Sequence, residues 1–334
     1  MDSFLQMPTD ERRLLCEQAE ANLGLRAGSI EKDYWVCWIL RELTSLAEWG
    51  EHLTFKGGTS LSKAWKLIDR FSEDIDVVIE RTFLGFGGEE LSNNQRKRLV
   101  KTCSQHIHQQ LKPALEERMR QSLPAGWALT VASKDEDPDE QTLFFEYPSA
   151  FGAQAGYVEG RVRIEMGARS DIEPAESPQI QPYLAEAFPE ILGESSFSVR
   201  TIAARRTFWE KAMLLHEETF RPEDRLPRKP RMARHYYDLW SLINKGTADE
   251  AAADLNLFTL CAAHRQSFFR IRWVDYATLR QGTLRLVPPE DQLRDWRLDY
   301  QAMSEEMFFG EVPPFDKVIS AVREFERTFN LAAK

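Results

Sequence analysis

Two aspartates separated by one residue are the strongest indication of chemistry in this chain. Asp74 and Asp76 stand at the start of residues 75–80, a β-branched run that predicts a strand. Side chains two positions apart on a strand project from the same face, where two like charges repel each other. A fold tolerates this repulsion when a cation lies between the charges, and Mg²⁺ prefers carboxylate oxygens together with substrate phosphates. The alternative is a pair of aspartates that only cap a strand at the surface.

A glycine turn precedes the aspartates by one predicted helix. Gly57 and Gly58 follow a short predicted strand at 53–56, and we expect a helix to begin at Thr59 or Ser60. Without Cβ atoms, the turn lets phosphates approach the backbone, and a helix start offers free N–H groups and a positive dipole end. The two hydroxyls add donors. Many helices begin after such a turn, so it indicates a nucleotide site only in combination with the aspartates.

A lysine and an aspartate later in the chain lie among apolar residues of predicted helices. Lys211 lies three residues after Phe208 in a helix predicted over 203–219. A buried ammonium is costly without an anion. A nucleoside triphosphate and a neighbouring carboxylate both supply one. Asp238 would accordingly orient Lys211 or hold the nucleotide, or it would form a structural salt bridge.

These residues lie in strings that resemble a known family. The strings are Glu31-Lys32-Asp33-Tyr34-Trp35, Gly57-Gly58-Thr59-Ser60, Arg70-Phe71-Ser72-Glu73-Asp74-Ile75-Asp76, Phe208-Trp209-Glu210-Lys211 and Arg234-His235-Tyr236-Tyr237-Asp238-Leu239. In this order they resemble nucleotidyltransferases of the polymerase-β superfamily. The resemblance is closest to the AbiEii/AbiGii-type, MenT-like toxins of toxin–antitoxin systems. It covers about residues 28–245, and we see none beyond them.

The resemblance implies a third carboxylate from a neighbouring strand. Residues 160–166 alternate, with Val162, Ile164 and Met166 on one face, and Glu165 on the other face is the candidate. The alternative is a surface ion pair between Glu165 and Arg161 or Arg163. Arg169 would contact phosphate or cap the strand.

The resemblance further implies an enzyme that moves a nucleoside monophosphate from an NTP to an acceptor. The predicted metal ligands, for Mg²⁺ or for Mn²⁺ in its place, are Asp74, Asp76 and Glu165. The predicted nucleotide-binding residues are Gly57, Gly58, Thr59, Ser60 and Lys211. The predicted catalytic residues are Asp74, Asp76, Glu165, Lys211 and Asp238. The implied acceptor is RNA, plausibly the tRNA 3′ end, the implied partner is an antitoxin, and the implied outcome is growth arrest or phage defence.

A proline-rich basic loop is the predicted RNA contact. Residues 200–235 hold ten Lys/Arg and five Asp/Glu, in a chain whose formal net charge is −10. Clustered cations on a loop suit a phosphate backbone, although many such loops are simply solvated. The candidate residues are Arg221, Arg225, Arg228, Lys229 and Arg231.

An α+β fold must position these residues. The 334 residues allow about two domains. We predict a polymerase-β-like nucleotidyltransferase core, a mixed sheet with helices, over 1–202. A mainly helical domain that completes the active site is predicted over 203–334. The further strands are predicted at 127–133, 142–147 and 157–167.

Composition excludes several classes of protein. The net charge of −10 excludes a generally basic protein that coats nucleic acid, but not a local basic patch. No apolar run approaches the roughly 20 residues of a membrane span, and the N-terminus is polar, so we expect a cytoplasmic protein. The pair His106 and His108 is a poor metal site, because positions two apart on a helix point to different sides. The four cysteines are expected to be reduced thiols: Cys16, Cys37, Cys103 and Cys261.

Two rival functions stay open. An enzyme that nucleotidylates a protein would use the same site; the acidic net charge favours it and the basic loop disfavours it. A non-catalytic nucleotide-binding module would keep the fold without the chemistry. The joint presence of Asp74, Asp76 and Lys211 argues against the second rival.

Overall fold

The chain forms two compact units. The computed structural model describes residues 1–87, 91–152, 160–310 and 312–333. Unit 1 comprises Met1–Trp65 and Phe71–Ile202, and unit 2 comprises Lys66–Arg70 and Ala203–Lys334. The short segment Lys66–Arg70 therefore belongs with the C-terminal helices, although it ends only four residues before Asp74. Of the strand predicted over 157–167, residues 157–159 lie outside the described residues.

Unit 1 surrounds a sheet with helices. Its helices are α1 (Asp2–Gln6), α2 (Thr9–Leu23), α3 (Ala27–Thr44), α4 (Gly57–Lys63), α5 (Asn93–His106), α6 (Lys112–Ser122), α7 (Tyr183–Ala187) and α8 (Pro189–Leu192). One π-helical turn, Ile107–Leu111, joins α5 to α6. Helix α3 is buried along most of its length, and its Trp35 and Trp38 pack against Phe145 of the sheet. Helix α4 begins at Gly57, two residues before the earliest start that we predicted.

The sheet is mixed, as predicted. Its strands are β1 (Leu53–Lys56), β2 (Ile75–Ile79), β3 (Ala128–Val131), β4 (Thr142–Glu146), β5 (Arg161–Gly167), β6 (Ala175–Glu176) and β9 (Thr201–Ile202). A separate two-stranded sheet consists of β7 (Gln179–Ile180) and β8 (Phe197–Ser198). The order of the seven is β3-β4-β5-β2-β1-β9-β6. Strands β2 and β5 pair in parallel, as do β1 and β9, and the other pairs are antiparallel.

The burial of β5 follows the alternation in its sequence. Val162, Ile164 and Met166 are buried, while Arg163 and Glu165 are half-buried on the opposite face. A period of two is what a strand with one packed face requires. The predicted direction of Glu165, away from the core, is therefore confirmed.

Unit 2 is mainly helical, as predicted. Its helices are α9 (Ala204–Thr219), α10 (Arg234–Asn244), α11 (Thr247–Ala253), α12 (Leu255–Phe268), α13 (Leu293–Met307) and α14 (Phe315–Leu331). The core includes an aromatic cluster in which Trp209 contacts Phe258, Phe325 and Phe329. The Trp209 indole also donates to the carbonyl oxygen of Ala251 at 3.1 Å.

Two further expectations concern the chain as a whole. Within the described ranges, no helix combines the length and apolar character needed to cross a membrane. The four cysteines are all buried and free.

Candidate active site

The carboxylates of unit 1 come from neighbouring strands. In the parallel pair of β2 and β5, Asp76 stands directly opposite Glu165. In the antiparallel pair of β1 and β2, Lys56 stands opposite Asp76 on the other side. Residues paired in register share a face of the sheet. Asp76 is thus flanked by one carboxylate and one ammonium, and Asp74 lies one residue before β2 begins.

Gly57 lies against the carboxylate of Asp76. The Gly57 backbone has φ +80°, in the left-handed region, and a Cβ at this position would overlap the Asp76 carboxylate. Only glycine meets both conditions without strain. The glycine turn and the second aspartate therefore form one local structure, whereas the sequence placed them one helix apart.

The hydroxyls of the turn are bonded inside the protein. Thr59 Oγ1 donates to the carbonyl oxygen of Asp74 at 2.5 Å and lies 2.9 Å from Ser72 Oγ. Ser60 Oγ donates to the carbonyl oxygen of Gly57 at 2.9 Å. Thr59 thereby fixes the chain at Asp74, and Ser60 closes the turn. Direct contact of these hydroxyls with a nucleotide stays a prediction.

Glu165 has a cationic neighbour on its own strand. Arg163 Nε lies 2.9 Å from Glu165 Oε1, and both side chains are about two-fifths exposed, at 38% and 43%. This is the surface ion pair that the sequence left as an alternative. Arg169 pairs with Asp139.

The donor chemistry fits a magnesium ion. Among the described residues, no group of three or more His, Cys, Asp or Glu side chains lies close enough to hold a metal. Mg²⁺ is nevertheless commonly held by one or two carboxylates with substrate phosphates completing its shell. Asp76 and Glu165, adjacent across β2 and β5, supply such oxygens.

Consecutive charged residues of α3 hold the segments around this site. Lys32 Nζ donates to Glu73 Oε2 at 2.7 Å, one residue before Asp74. Asp33 Oδ1 lies 2.8 Å from Lys63 Nζ, at the end of α4. Burial lowers the pKa of Lys63, but the charges of Asp33, Cys37 and Tyr183 and the hydrogen bond to Asp33 together raise it by more, so the ammonium stays protonated. One turn of α3 therefore fixes both the helix after the glycine turn and the chain entering β2.

Glu31 extends this arrangement to a third segment. Its carboxylate accepts from Ala150 N and from Ser149 Oγ, each at 2.7 Å. Glu31, Lys32 and Asp33 are 1%, 2% and 4% exposed. Successive helical residues point about 100° apart, so three neighbours in sequence reach three different segments. We call Glu31, Lys32 and Asp33 the α3 triad.

In unit 2, Lys211 and Asp238 are in contact. Lys211 Nζ lies 2.7 Å from Asp238 Oδ2, and the Asp238 side chain is fully buried. A second cation also binds this carboxylate: Arg70 Nε donates to Oδ1 at 2.7 Å and Nη2 to Oδ2 at 2.8 Å. Sequence reasoning gave Arg70 no role, because only its place in the string before Asp74 pointed to it. We call Arg70, Lys211 and Asp238 the buried ion cluster.

The buried ion cluster carries one more cation than anion. Burial would raise the pKa of Asp238, but Arg70 and Lys211 lower it below its usual range. Burial lowers the pKa of Lys211; the charge of Asp238 opposes this shift, and the charge of Arg70 adds to it. His235 is held neutral, because burial and the nearby Lys211 and Arg234 place its pKa well below 6.5. The pKa of Lys211 is thus lowered even though Asp238 is in contact with it, because Asp238 is shared with Arg70.

One face of α10 holds the segment Lys66–Arg70. The contacts are Asp69 N to Tyr237 Oη at 3.2 Å, Arg70 to Asp238, Ser241 Oγ to the carbonyl oxygen of Leu67 at 2.5 Å, and Lys245 Nζ to the carbonyl oxygen of Lys66 at 3.3 Å. The α10 residues fall at helical spacing on one side. Asp238 is therefore part of a clamp on the chain that continues to Asp74.

Two cations of the predicted RNA loop share one carboxylate. Arg221 binds Glu218 through two nitrogens, at 2.6 and 2.7 Å, and Arg228 Nε lies 3.0 Å from the same carboxylate. Arg225 and Lys229 are exposed. The Arg231 backbone N–H donates to Asp299 at 2.6 Å. The loop is thus fixed partly by its own arginines.

Comparisons with known proteins agree with this architecture. The model of the family described as "Nucleotidyl transferase AbiEii toxin, Type IV TA system" matches residues 38–326. The match extends well past residue 245, so the expectation of no likeness beyond that point was wrong. It begins after the α3 triad. No curated protein sequence matches the chain.

Two solved structures are similar to this chain, and the first of them shows the same fold. MenT4, a nucleotidyltransferase toxin from Mycobacterium tuberculosis H37Rv, aligns with TM-score 0.53 at 17% identity, over 94% of this chain and 88% of that one. A proposed nucleotidyltransferase from H. pylori aligns with TM-score 0.43 at 13% identity, over 92% and 99%. The family match spans most of the chain and confirms the resemblance and the enzyme class predicted from the sequence. This chain belongs to the AbiEii family of nucleotidyltransferase toxins of type IV toxin–antitoxin systems.

Proposed function

We propose that this nucleotidyltransferase uses Mg²⁺ to transfer a nucleoside monophosphate from an NTP to an RNA acceptor, with the tRNA 3′ end as the acceptor site. The observation that carries the proposal is the packing of Gly57 on Asp76, with Glu165 in register beside it. This combination places two oxygen donors for a metal beside the glycine turn.

The residues of unit 1 would act as ligands and as a base. Asp76 and Glu165 would hold the metal, which when bound would neutralise phosphate charge and stabilise the attacking and leaving oxygens. Asp74 would join them only after its side chain moves toward them. The acceptor hydroxyl oxygen would attack the α-phosphorus, and the bond to pyrophosphate would break. The hydroxyl proton would pass to a carboxylate oxygen, for which Asp76 is our candidate. The α3 triad would keep the segments that bear these groups at a fixed separation.

Lys211 would bind the triphosphate. Arg70 already satisfies both oxygens of Asp238, so the charge of Lys211 is only partly compensated. A polyphosphate supplies the missing negative charge. Asp238 would then act as a positioning residue for Lys211, and the family's cognate antitoxin would be the protein partner.

Transfer of label from an NTP tests the proposal. Pure protein is incubated with Mg²⁺, each α-labelled NTP in turn and total RNA, and the products are separated on denaturing gels. We expect label in an RNA band, and no label with Asp76→Asn. Asp316→Asn, an exposed aspartate of α14, is the matched control and should keep activity.

Nucleotidylation of a protein remains the second candidate. Arg221 and Arg228 are both engaged with the carboxylate of Glu218, which weakens the basic loop as an RNA contact and favours this alternative. The same experiment with cell lysate separates the two. Label confined to a protein band would replace RNA as the acceptor, and the absence of label from both would refute transfer.

A further inference from the structure

An arginine-rich stretch of unit 2 contains no residue to which a functional role has been given above. Residues 262–289, which comprise the last turns of α12 and most of the segment that joins it to α13, hold five arginines and one aspartate, with no lysine or glutamate. The local charge is therefore 5 − 1 = +4 in a chain of −10. Four aromatic residues are interleaved with the arginines: Phe268, Phe269, Trp273 and Tyr276.

Most of these arginines face solvent. Arg265 is buried and binds Glu217, with Nε at 2.9 Å from Oε1. The exposed members are Arg270, Arg272, Arg280 and Arg285. Of these, Arg272 and Arg280 form no ion pair with any residue in the described part of the chain. Their charge is consequently available to a partner.

Aromatic rings accompany the exposed charges. The guanidinium of Arg285 lies 5.2 Å from the ring centre of Phe220, and that of Arg221 lies 5.5 Å from Trp273. Phe269 is 41% exposed. We call Arg270, Arg272, Arg280 and Arg285, with Phe220, Phe269 and Trp273, the arginine surface.

The arginine surface is held in place by specific hydrogen bonds. Tyr276 Oη donates to Glu217 at 2.9 Å, and the Arg285 backbone N–H donates to His216 Nδ1 at 3.0 Å. His216 Nε2 lies 3.1 Å from Thr278 Oγ1. These contacts attach the stretch to the C-terminal end of α9. A loop that served only as a solvated connection would not need them.

We propose that the arginine surface binds single-stranded nucleic acid. This rests on the proposed RNA acceptor and assigns it a place in unit 2. Arginine binds phosphate through a planar fork and stacks on rings, and an exposed ring such as that of Phe269 offers a platform for an unpaired base. An acidic protein segment would pair with the charges but would leave the rings unused. Phe220 directly follows α9 and lies nine residues after Lys211, about 14 Å along the helix axis. The RNA strand and the triphosphate would therefore bind along the same helix.

Binding measurements without NTP test the surface separately from catalysis. The probe is a fluorescein-labelled single-stranded RNA of mixed sequence, with anisotropy followed over a salt series. In the variant Arg272→Gln/Arg280→Gln/Arg285→Gln, the slope of log K against log salt should fall by about 2, at about 0.7 per lost contact. If the variant and the unchanged protein bind equally at 1 M salt, this slope change makes the variant bind about a hundredfold more weakly than the unchanged protein at 0.1 M salt. The melting temperature should not change, because all three side chains are exposed.

A matched variant controls for net charge. Arg26→Gln/Arg294→Gln/Lys317→Gln also removes three exposed cations and should bind RNA as the unchanged protein does. Equal binding by both variants would overturn the arginine surface. An equal loss of affinity for poly-L-glutamate would also overturn it, in favour of an acidic protein partner. If the unchanged protein binds no RNA, the proposed acceptor itself fails.

Discussion

Replacement of Lys211 by methionine separates a substrate-binding lysine from a structural one. Methionine keeps most of the apolar stem and removes the charge. In the buried ion cluster this change leaves Arg70 and Asp238 as a balanced pair with two hydrogen bonds, so no buried charge loses its only partner. The lowered pKa of Lys211 shows that its surroundings disfavour the ammonium. We therefore expect the free energy of unfolding to change by no more than about 1 kcal/mol.

The effect on nucleotide binding should be larger. A lost charge-assisted hydrogen bond to the triphosphate costs about 2 kcal/mol, which weakens binding about 30-fold. At a Mg-NTP concentration of about 100 Kd, the unchanged protein gains about 2.7 kcal/mol of stability. At the same concentration the variant should gain only about 0.9 kcal/mol. Asp238→Ala should behave differently, because it removes the carboxylate that contacts both buried cations, and such a loss destabilises the apo protein by about 3–5 kcal/mol.

Chemical denaturation with and without Mg-NTP measures both quantities. Lys317→Met, an exposed lysine of α14, is the control and should change neither. The reasoning is refuted if Lys211→Met costs more than about 3 kcal/mol without ligand and keeps the full stabilisation by Mg-NTP.

Three further predictions concern the carboxylates, the α3 triad and pH. Gly57→Ala should lower stability by about 1–2 kcal/mol because of its positive φ, and it should abolish transfer by displacing Asp76. The control Gly85→Ala, at φ +81° with no atom near the added Cβ, should lose only the same backbone stability in a melting assay. Normal transfer by Gly57→Ala would contradict this. Lys32→Met should lower transfer by removing the ammonium that holds Glu73 beside Asp74, and Lys32→Met/Glu73→Gln should recover much of it; no recovery would mean that Lys32 only supports packing. Burial places the pKa of His216 at about 4, below the unfolded value of 6.5, so between those values only the unfolded state gains the proton. Stability should therefore be complete above pH 6.5 and fall by about 3 kcal/mol toward pH 4, and His216→Gln should remove this part of the decline in urea titrations.

Local patterns were enough for the class of fold and for part of the site. The alternation in β5 predicted which face carries Glu165, and the β-branched run after Asp76 predicted β2. The strings around Asp74 and Lys211 indicated the family, which the match over 38–326 confirms. These features depend on neighbours within a few residues, and side-chain period and conformational preference act over that range.

Only the tertiary structure decided which distant groups meet. Arg70 and Asp238 are 168 residues apart, and no periodicity connects a loop arginine to a helix aspartate. The same holds for Glu218, which neutralises Arg228, and for Gly57, whose need to be glycine comes from the Asp76 carboxylate. The sequence by itself determined the residue types, the elements and the family of this protein. Packing decided which charges are compensated and which are left for a ligand, because compensation depends on distances of a few ångströms between residues far apart in the chain.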